Sequence, residues 1–164
     1  MNWKEVGTRA VLTFVQAFLA VLLVDGINGM DKILQDVVNE MFSFYFKLHK
    51  YHWNVTGQNF FDLHSMFGDM YEDVWDNIDK TAEYIRILGS MADIKPVMTS
   101  SNASGDMQMV ADVLKANQSM ITCLKTAEDA ADYYEHCDIE NFIADRLDQH
   151  NKWNWQLTAF KGGK

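Results

Sequence analysis

FFDLHSMFGDMYEDVWDNIDKTAEYIRIL, residues 60–88, carries apolar side chains at three- and four-residue spacing: Leu63, Phe67, Met70, Tyr71, Val74, Trp75, Ile78, Ala82 and Ile85. That period describes one long amphipathic helix with a buried side, closed by Gly89. On a wheel at 100° per residue with His64 at zero, Asp79 falls near 60°, Glu72 near 80°, Glu83 near 100° and Asp76 near 120°. One sector therefore gathers a histidine and four acids. Two readings of it stay open. It is either a solvated acidic face with an incidental histidine, or a ligand stripe bordering the buried side, where an unpaired carboxylate is costly and a cation relieves it.

Working upstream, Ile33, Leu34, Val37, Val38, Met41, Phe42, Phe44, Tyr45 and Leu48 trace a wide apolar stripe from Asp31 to near Trp53 and Gly57, a first helix for the domain. His52 lies near its end, twelve residues before His64. Two imidazoles with Asp79 and Glu83 make a nitrogen and oxygen ligand set suited to divalent iron. At ~1.5 Å per residue, however, His64 and Asp79 stand roughly 22 Å apart on a straight helix, so one ion cannot touch both. A shared site requires two copies with these helices antiparallel about a two-fold axis, which predicts a symmetric oligomer.

Downstream, Met91–Gly105 holds the only proline, Pro96, and a Thr99-Ser-Ser-Asn-Ala-Ser104 run. It reads as the long connection between helices 2 and 3 that a four-helix bundle with parallel neighbours needs. A third helix is predicted from about Asp106 to His136 and a fourth from Asp138, as N-cap, to about Phe160. Lys161–Lys164 reads as a loose tail. With 164 residues, 48% apolar content, one proline and nine glycines, the chain suits one all-α domain. Its 23 acids against 14 bases give a net charge of −9, which repels phosphate backbones and favours cations. Cys123 and Cys137 sit in no Cys-x-x-Cys pattern and read as reduced thiols. His49, His136 and His150 lack acid partners at ligand spacing and read as structural or solvent histidines. Trp53, beside His52, either shields the site or fills a core or interface position.

Residues 1–29 differ. Lys4 and Arg9 precede Ala10–Val24, fifteen residues interrupted only by Thr13 and Gln16, before Asp25–Gly29 breaks the run. This extra apolar N-terminal helix is open to three readings: a membrane anchor, a helix packed on the domain or at a subunit contact, and a signal peptide without an Ala-x-Ala cleavage site. The division is thus 1–29 as extension and 30–164 as domain.

His52-Trp-Asn-Val-Thr-Gly57, Phe60, Leu63-His64, Phe67, Tyr71 and Asp79-x-x-Ala-Glu83 closely resemble the ferroxidase signature of the Dps-type mini-ferritins. Arg146, His150, Lys152, Trp155, Leu157 and Phe160 resemble that family's last helix, so the likeness covers about residues 30–160. It implies a ferritin-like four-helix subunit, a hollow dodecamer built from two-fold dimers, and a ferroxidase that oxidises Fe(II) to Fe(III). Hydrogen peroxide or oxygen serves as oxidant, and the iron is stored or detoxified. By the same resemblance, His52 and His64 come from one subunit and Asp79 and Glu83 from the other. His52, Asp79 and Glu83 hold the tighter ion and His64 the weaker one.

Ordinary ferritins build their site within one subunit from Glu-x-x-His pairs, and this chain has none. It also departs from the mini-ferritin pattern. Gly68 stands where the family carries an acid four residues after the second histidine, and Tyr84 stands where an arginine follows the last glutamate. Glu72 stays in the same sector one turn on, a substitute ligand for the second ion. Alternatives follow: a shell protein with weakened catalysis, or a DNA-compacting protein. The last is disfavoured, because Lys4, Arg9, Lys161 and Lys164 are few against an acidic body. The expected location is cytoplasmic, with membrane contact through residues 1–29 as a variant.

Overall fold

The computed structural model describes residues 29–97 and 103–162. Expectations placed on residues 1–28, including the apolar N-terminal helix with Lys4 and Arg9, lie outside them. The described residues form four helices and no strand: α1 (Gly29–Asn54), α2 (Phe60–Ile87), α3 (Asp106–Tyr133) and α4 (Cys137–Phe160). Helix α1 packs on α2 and α3, and α3 packs on α4. The expected periodicity holds where it matters for the core. Leu34, Val37, Met41, Phe44 and Leu48 of α1 interlock with Leu63, Phe67, Met70, Val74 and Ile85 of α2, all buried. Val110, Val113, Met120, Leu124, Ile143 and Leu157 close the other side. Burying each such side chain contributes roughly 1.5–3 kcal/mol. Trp75 departs from the expected pattern: it stands at the edge of the stripe and is 53% exposed.

Gly89 ends α2 as expected, at φ +88°: its N–H donates to the Arg86 carbonyl and the Ser90 N–H to that of Ile85. This double bond pattern satisfies carbonyls the helix leaves free, and it needs a left-handed residue that glycine supplies without strain. Helix α3 stops three residues earlier than the sequence suggested, by the same motif built on a non-glycine. Glu135 takes φ 59°, its N–H donates to Asp132 O, and the His136 N–H donates to Ala131 O. Consequently α4 starts at Cys137, with Asp138 in its first turn and His136 rather than Asp138 as N-cap. A left-handed L-residue costs about 1 kcal/mol. Glu135→Gly is therefore expected to raise unfolding stability by roughly that amount in urea melts, and an unchanged or lower midpoint would refute it.

The connection to α3 is held by a ladder. Gln35, Asn39 and Ser43, one turn apart on α1, accept the N–H groups of Asp93 (2.7 Å), Lys95 (2.7 Å) and Val97 (3.1 Å). The Gln35 side-chain amide also donates to the Asp93 carbonyl. The registers match physically: four helical residues rise ~6 Å and two extended residues ~6.6 Å. The strap thereby runs back along α1, so α3 starts beside the start of α2, where Asn59 Nδ2 donates to Asp106 Oδ2 at 2.7 Å. Thus α2 and α3 run parallel, as the long connection implied. At the other end Ser90 Oγ donates to Asp31, and Gly29 lies so close to Tyr134 that a Cβ there would meet its hydroxyl at 2.2 Å.

Candidate metal centre

The short loop from Val55 to Asn59 folds α2 back on α1 and brings the end of one helix face to face with the start of the other. Val55, buried, anchors this turn, with its N–H on the Tyr51 carbonyl at 2.9 Å. His52 and His64 meet there. Their rings stack with centroids 3.7 Å apart and planes 20° from parallel. Each is tied to the other's backbone: His52 Nδ1 lies 2.7 Å from the His64 carbonyl oxygen, and His64 Nδ1 lies 2.8 Å from that of His52. A carbonyl only accepts, so both Nδ1 atoms donate, and in the neutral rings Nε2 is the nitrogen that carries the lone pair. That is the tautomer a metal ligand needs, fixed before any ion arrives.

The surroundings reinforce the pair. Phe60 stacks on His64 (4.9 Å, 24°), and Tyr71 meets His52 edge-on (5.2 Å). His49, read from the sequence as structural or solvent-facing, lies among aromatics: stacked on Tyr71 at 3.9 Å, edge-on to Tyr45 at 4.5 Å and 5.1 Å from Trp53. Burial, and then the charge of nearby His52, hold the His49 imidazole below its ordinary pKa. His150 lies inside the bundle, with Nδ1 2.7 Å from Asn117 Oδ1, while Asn117 Nδ2 donates to the His150 carbonyl at 2.8 Å. Neither its burial nor its partner was visible in the sequence; only its position on the stripe with Trp153 and Leu157 hinted at them.

The acids stand elsewhere. Glu72, Asp76, Asp79 and Glu83 are exposed on the outer face of α2. The unbroken helix keeps Asp79 roughly 22 Å and Glu72 roughly 12 Å along its axis from His64. Among the described residues, no three His, Cys, Asp or Glu side chains gather closely enough to share an ion. Asp76 and Asp79 instead flank a groove of about 550 Å³ whose walls include Val38, Phe42, Trp75 and Ile94. Tyr45 lies 5.3 Å from Trp75 and 5.5 Å from Phe46, so the aromatic face continues along α1. Exposed Trp75, Phe46, Trp53 and Ile94 leave this side of the subunit unusually apolar beside its acids.

Residues 31–162 match the ferritin-like domain family. The chain is 32% identical over 130 residues to a DNA protection during starvation protein of Brevibacillus brevis, covering 71% of this chain and 83% of that one. It is 31% identical over 126 residues to general stress protein 20U of Bacillus subtilis, covering 72% and 87%. The crystal structure of Dps from Staphylococcus aureus superposes with a TM-score of 0.74 at 23% identity, over 80% of this chain and 94% of that one, which shows the same fold. By fold, by sequence and by the paired histidines at the α1–α2 turn, this chain belongs to the ferritin-like domain family, as a mini-ferritin of the Dps type.

Proposed function

We infer that the chain oxidises Fe(II) at sites shared between two copies, each site taking His52 and His64 from one subunit and Asp79 and Glu83 from its partner. The observation that carries this reading is the imidazole pair with both Nε2 atoms free. An ion bound to an imidazole lies in the ring plane. The rings stack with centroids 3.7 Å apart and planes only 20° from parallel, an arrangement that does not suit one ion lying in both ring planes at ~2.1 Å from each nitrogen. Each ring thus serves its own ion, the paired arrangement that two-metal chemistry uses. Four ligands from one chain would not meet, but an antiparallel α2 pair supplies the missing half. Setting His64 opposite Asp79 and Glu83 places the two-fold axis at about residue 72 and yields two sites per dimer. The exposed Trp75, Phe46 and groove beside Asp79 are then what the second copy covers. Glu72 falls near the axis, so direct ligation rests on the other four residues.

Peroxide takes two electrons, one from each ferrous ion, and its O–O bond breaks to give two hydroxides while both ions become ferric. Paired ions deliver both electrons in one encounter, which avoids a one-electron step to hydroxyl radical. The product then collects in the hollow shell that the family resemblance implies, a dodecamer. Among the described residues no helix is long and apolar enough to cross a membrane. The net charge of −9 favours iron over nucleic acid as cargo.

The test is anaerobic Fe(II) titration followed by peroxide, with particle mass measured on the same sample. Saturation at two ions per subunit in an oligomer, then loss of one peroxide per two Fe(II), is the expected result. Iron binding without oxidation would favour the weakened shell protein, and an oligomer that binds no Fe(II) would end the reading.

A further inference from the structure

Tyr71 touches the histidine pair and leads away from it. Its ring meets His52 edge-on with centroids 5.2 Å apart, and from there a file of rings crosses to α1 and back, Tyr71 to Tyr45 at 6.1 Å and Tyr45 to Trp75 at 5.3 Å. His49 fills the corner, stacked on Tyr71 at 3.9 Å and edge-on to Tyr45 at 4.5 Å, so no gap interrupts the file. It ends in the open, because Trp75 is 53% exposed beside Asp76 and Asp79. Packing alone asks only for large rings, which Phe42 and Phe46 supply nearby. The three rings that lead from the histidines to the surface are instead all phenol or indole, the side-chain rings that give up an electron most readily.

We propose that Tyr71, Tyr45 and Trp75 form an electron path between the two iron sites of a dimer, through which a site holding a single ferrous ion completes the two-electron reduction of peroxide. This use rests on the shared-site reading above; the path within one subunit does not. With the two-fold axis at about residue 72, Trp75 stands ~4.5 Å from it along α2, between the directions of His64 and Asp79, so the files of the two subunits meet near the axis. At a half-filled site peroxide takes one electron from Fe(II) and one from the Tyr71 phenol. The O–O bond breaks, and the phenol proton joins one of the two hydroxides as water, leaving Fe(III), one hydroxide and a Tyr71 phenoxyl radical. An electron then moves from Trp75 through Tyr45 to Tyr71, which takes a proton back from water, and the ferrous ion of the partner's site refills the indole by the mirror route. The sum is one peroxide and two ferrous ions giving two ferric ions and two hydroxides, with every ring restored and no hydroxyl radical set free.

Phenylalanine keeps each ring and removes the oxidisable group, so the experiment compares wild type with Tyr45→Phe/Tyr71→Phe and with Trp75→Phe, all as intact oligomers. In a metal-free arm, azide radical made by pulse radiolysis oxidises exposed tryptophan, and transient absorption follows the radical. Wild type is expected to convert indolyl to tyrosyl radical at a rate independent of protein concentration, and both variants to lose most of that conversion. In the second arm the protein carries one Fe(II) per subunit and receives peroxide, with freeze-quench EPR and a spin trap as readouts. Wild type is expected to show a transient tyrosyl signal, to consume one peroxide per two Fe(II) and to release no trapped hydroxyl radical. The double variant is expected to lose the signal, to release the radical and to approach twice the peroxide consumed per iron. Equal conversion in all three proteins, a wild type that oxidises iron without a tyrosyl signal, or unchanged peroxide consumption in the double variant overturns the proposal. A wild type that binds no Fe(II) at all sinks the shared-site reading instead, and the metal-free arm still decides the path within the subunit.

Discussion

Replacing His52 with alanine is expected to halve the Fe(II) stoichiometry and slow peroxide-driven oxidation by between about ten- and a hundredfold, with His64→Ala doing nearly the same. The halving follows from the way the clamp is built. Each Nδ1 is held by a backbone carbonyl of the other histidine's residue, and that carbonyl survives when the side chain is cut to alanine. The remaining ring loses its stacking partner at 3.7 Å but keeps its tautomer and one ion. Oxidation suffers more than binding, because one ferrous ion supplies one electron where peroxide requires two. Glu83→Gln, which keeps shape and removes charge, is expected to weaken binding without touching the clamp. Equal uptake and equal rates across wild type and the three variants would remove these residues from the site. If the alanine variants instead abolish binding altogether, a single ion spans both rings and the argument from their planes is wrong.

What the sequence makes legible here is the part written in periodicity and in short loops. The four helices follow from apolar spacing, and the pairing of His52 with His64 follows from a five-residue turn between antiparallel helices. What it hides is written in backbone atoms and in conformations that residue type does not announce. No pattern of side chains reveals that two imidazoles lock on each other's carbonyls. Glu135 gives no hint that it adopts the left-handed turn which ends α3 early, since glycine is the usual signal. Gln35, Asn39 and Ser43 lie off the apolar stripe that the periodicity picks out, and nothing in their types announces that they bind the strap. The acids are legible as a sector of α2, but under the function proposed above they serve histidines of another copy, which one chain cannot display.

Acidification from pH 7 to pH 5 is expected to cost the metal-free protein about 2 kcal/mol of unfolding stability through His150. Burial, and then the charge of Arg146, push this imidazole from 6.5 down to about 3. Its ring is fully enclosed, edge-on to Trp153 at 4.8 Å and 5.7 Å from Phe44, with Nδ1 engaged by Asn117 and Nε2 without a hydrogen-bond partner. The folded state therefore keeps His150 neutral while the unfolded chain protonates it below pH 6.5. Because the folded pKa is the lower one, the stabilisation is complete above 6.5 and is lost as pH falls through the window toward 3, at up to roughly 1.4 kcal/mol per unit. Between pH 6.5 and 5 most carboxylates stay ionised, so the histidine slope is readable there. His49, shifted the same way, adds to it. The measurement is urea unfolding at pH 7, 6 and 5, with chelator present and protein concentration and assembly state fixed. In Asn117→Leu/His150→Phe, which replaces both partners with apolar groups, most of the slope is expected to vanish at modest cost to stability at pH 7. A wild type equally stable at pH 7 and 5, or a double variant with undiminished slope, would show that the buried imidazole is not what acid attacks.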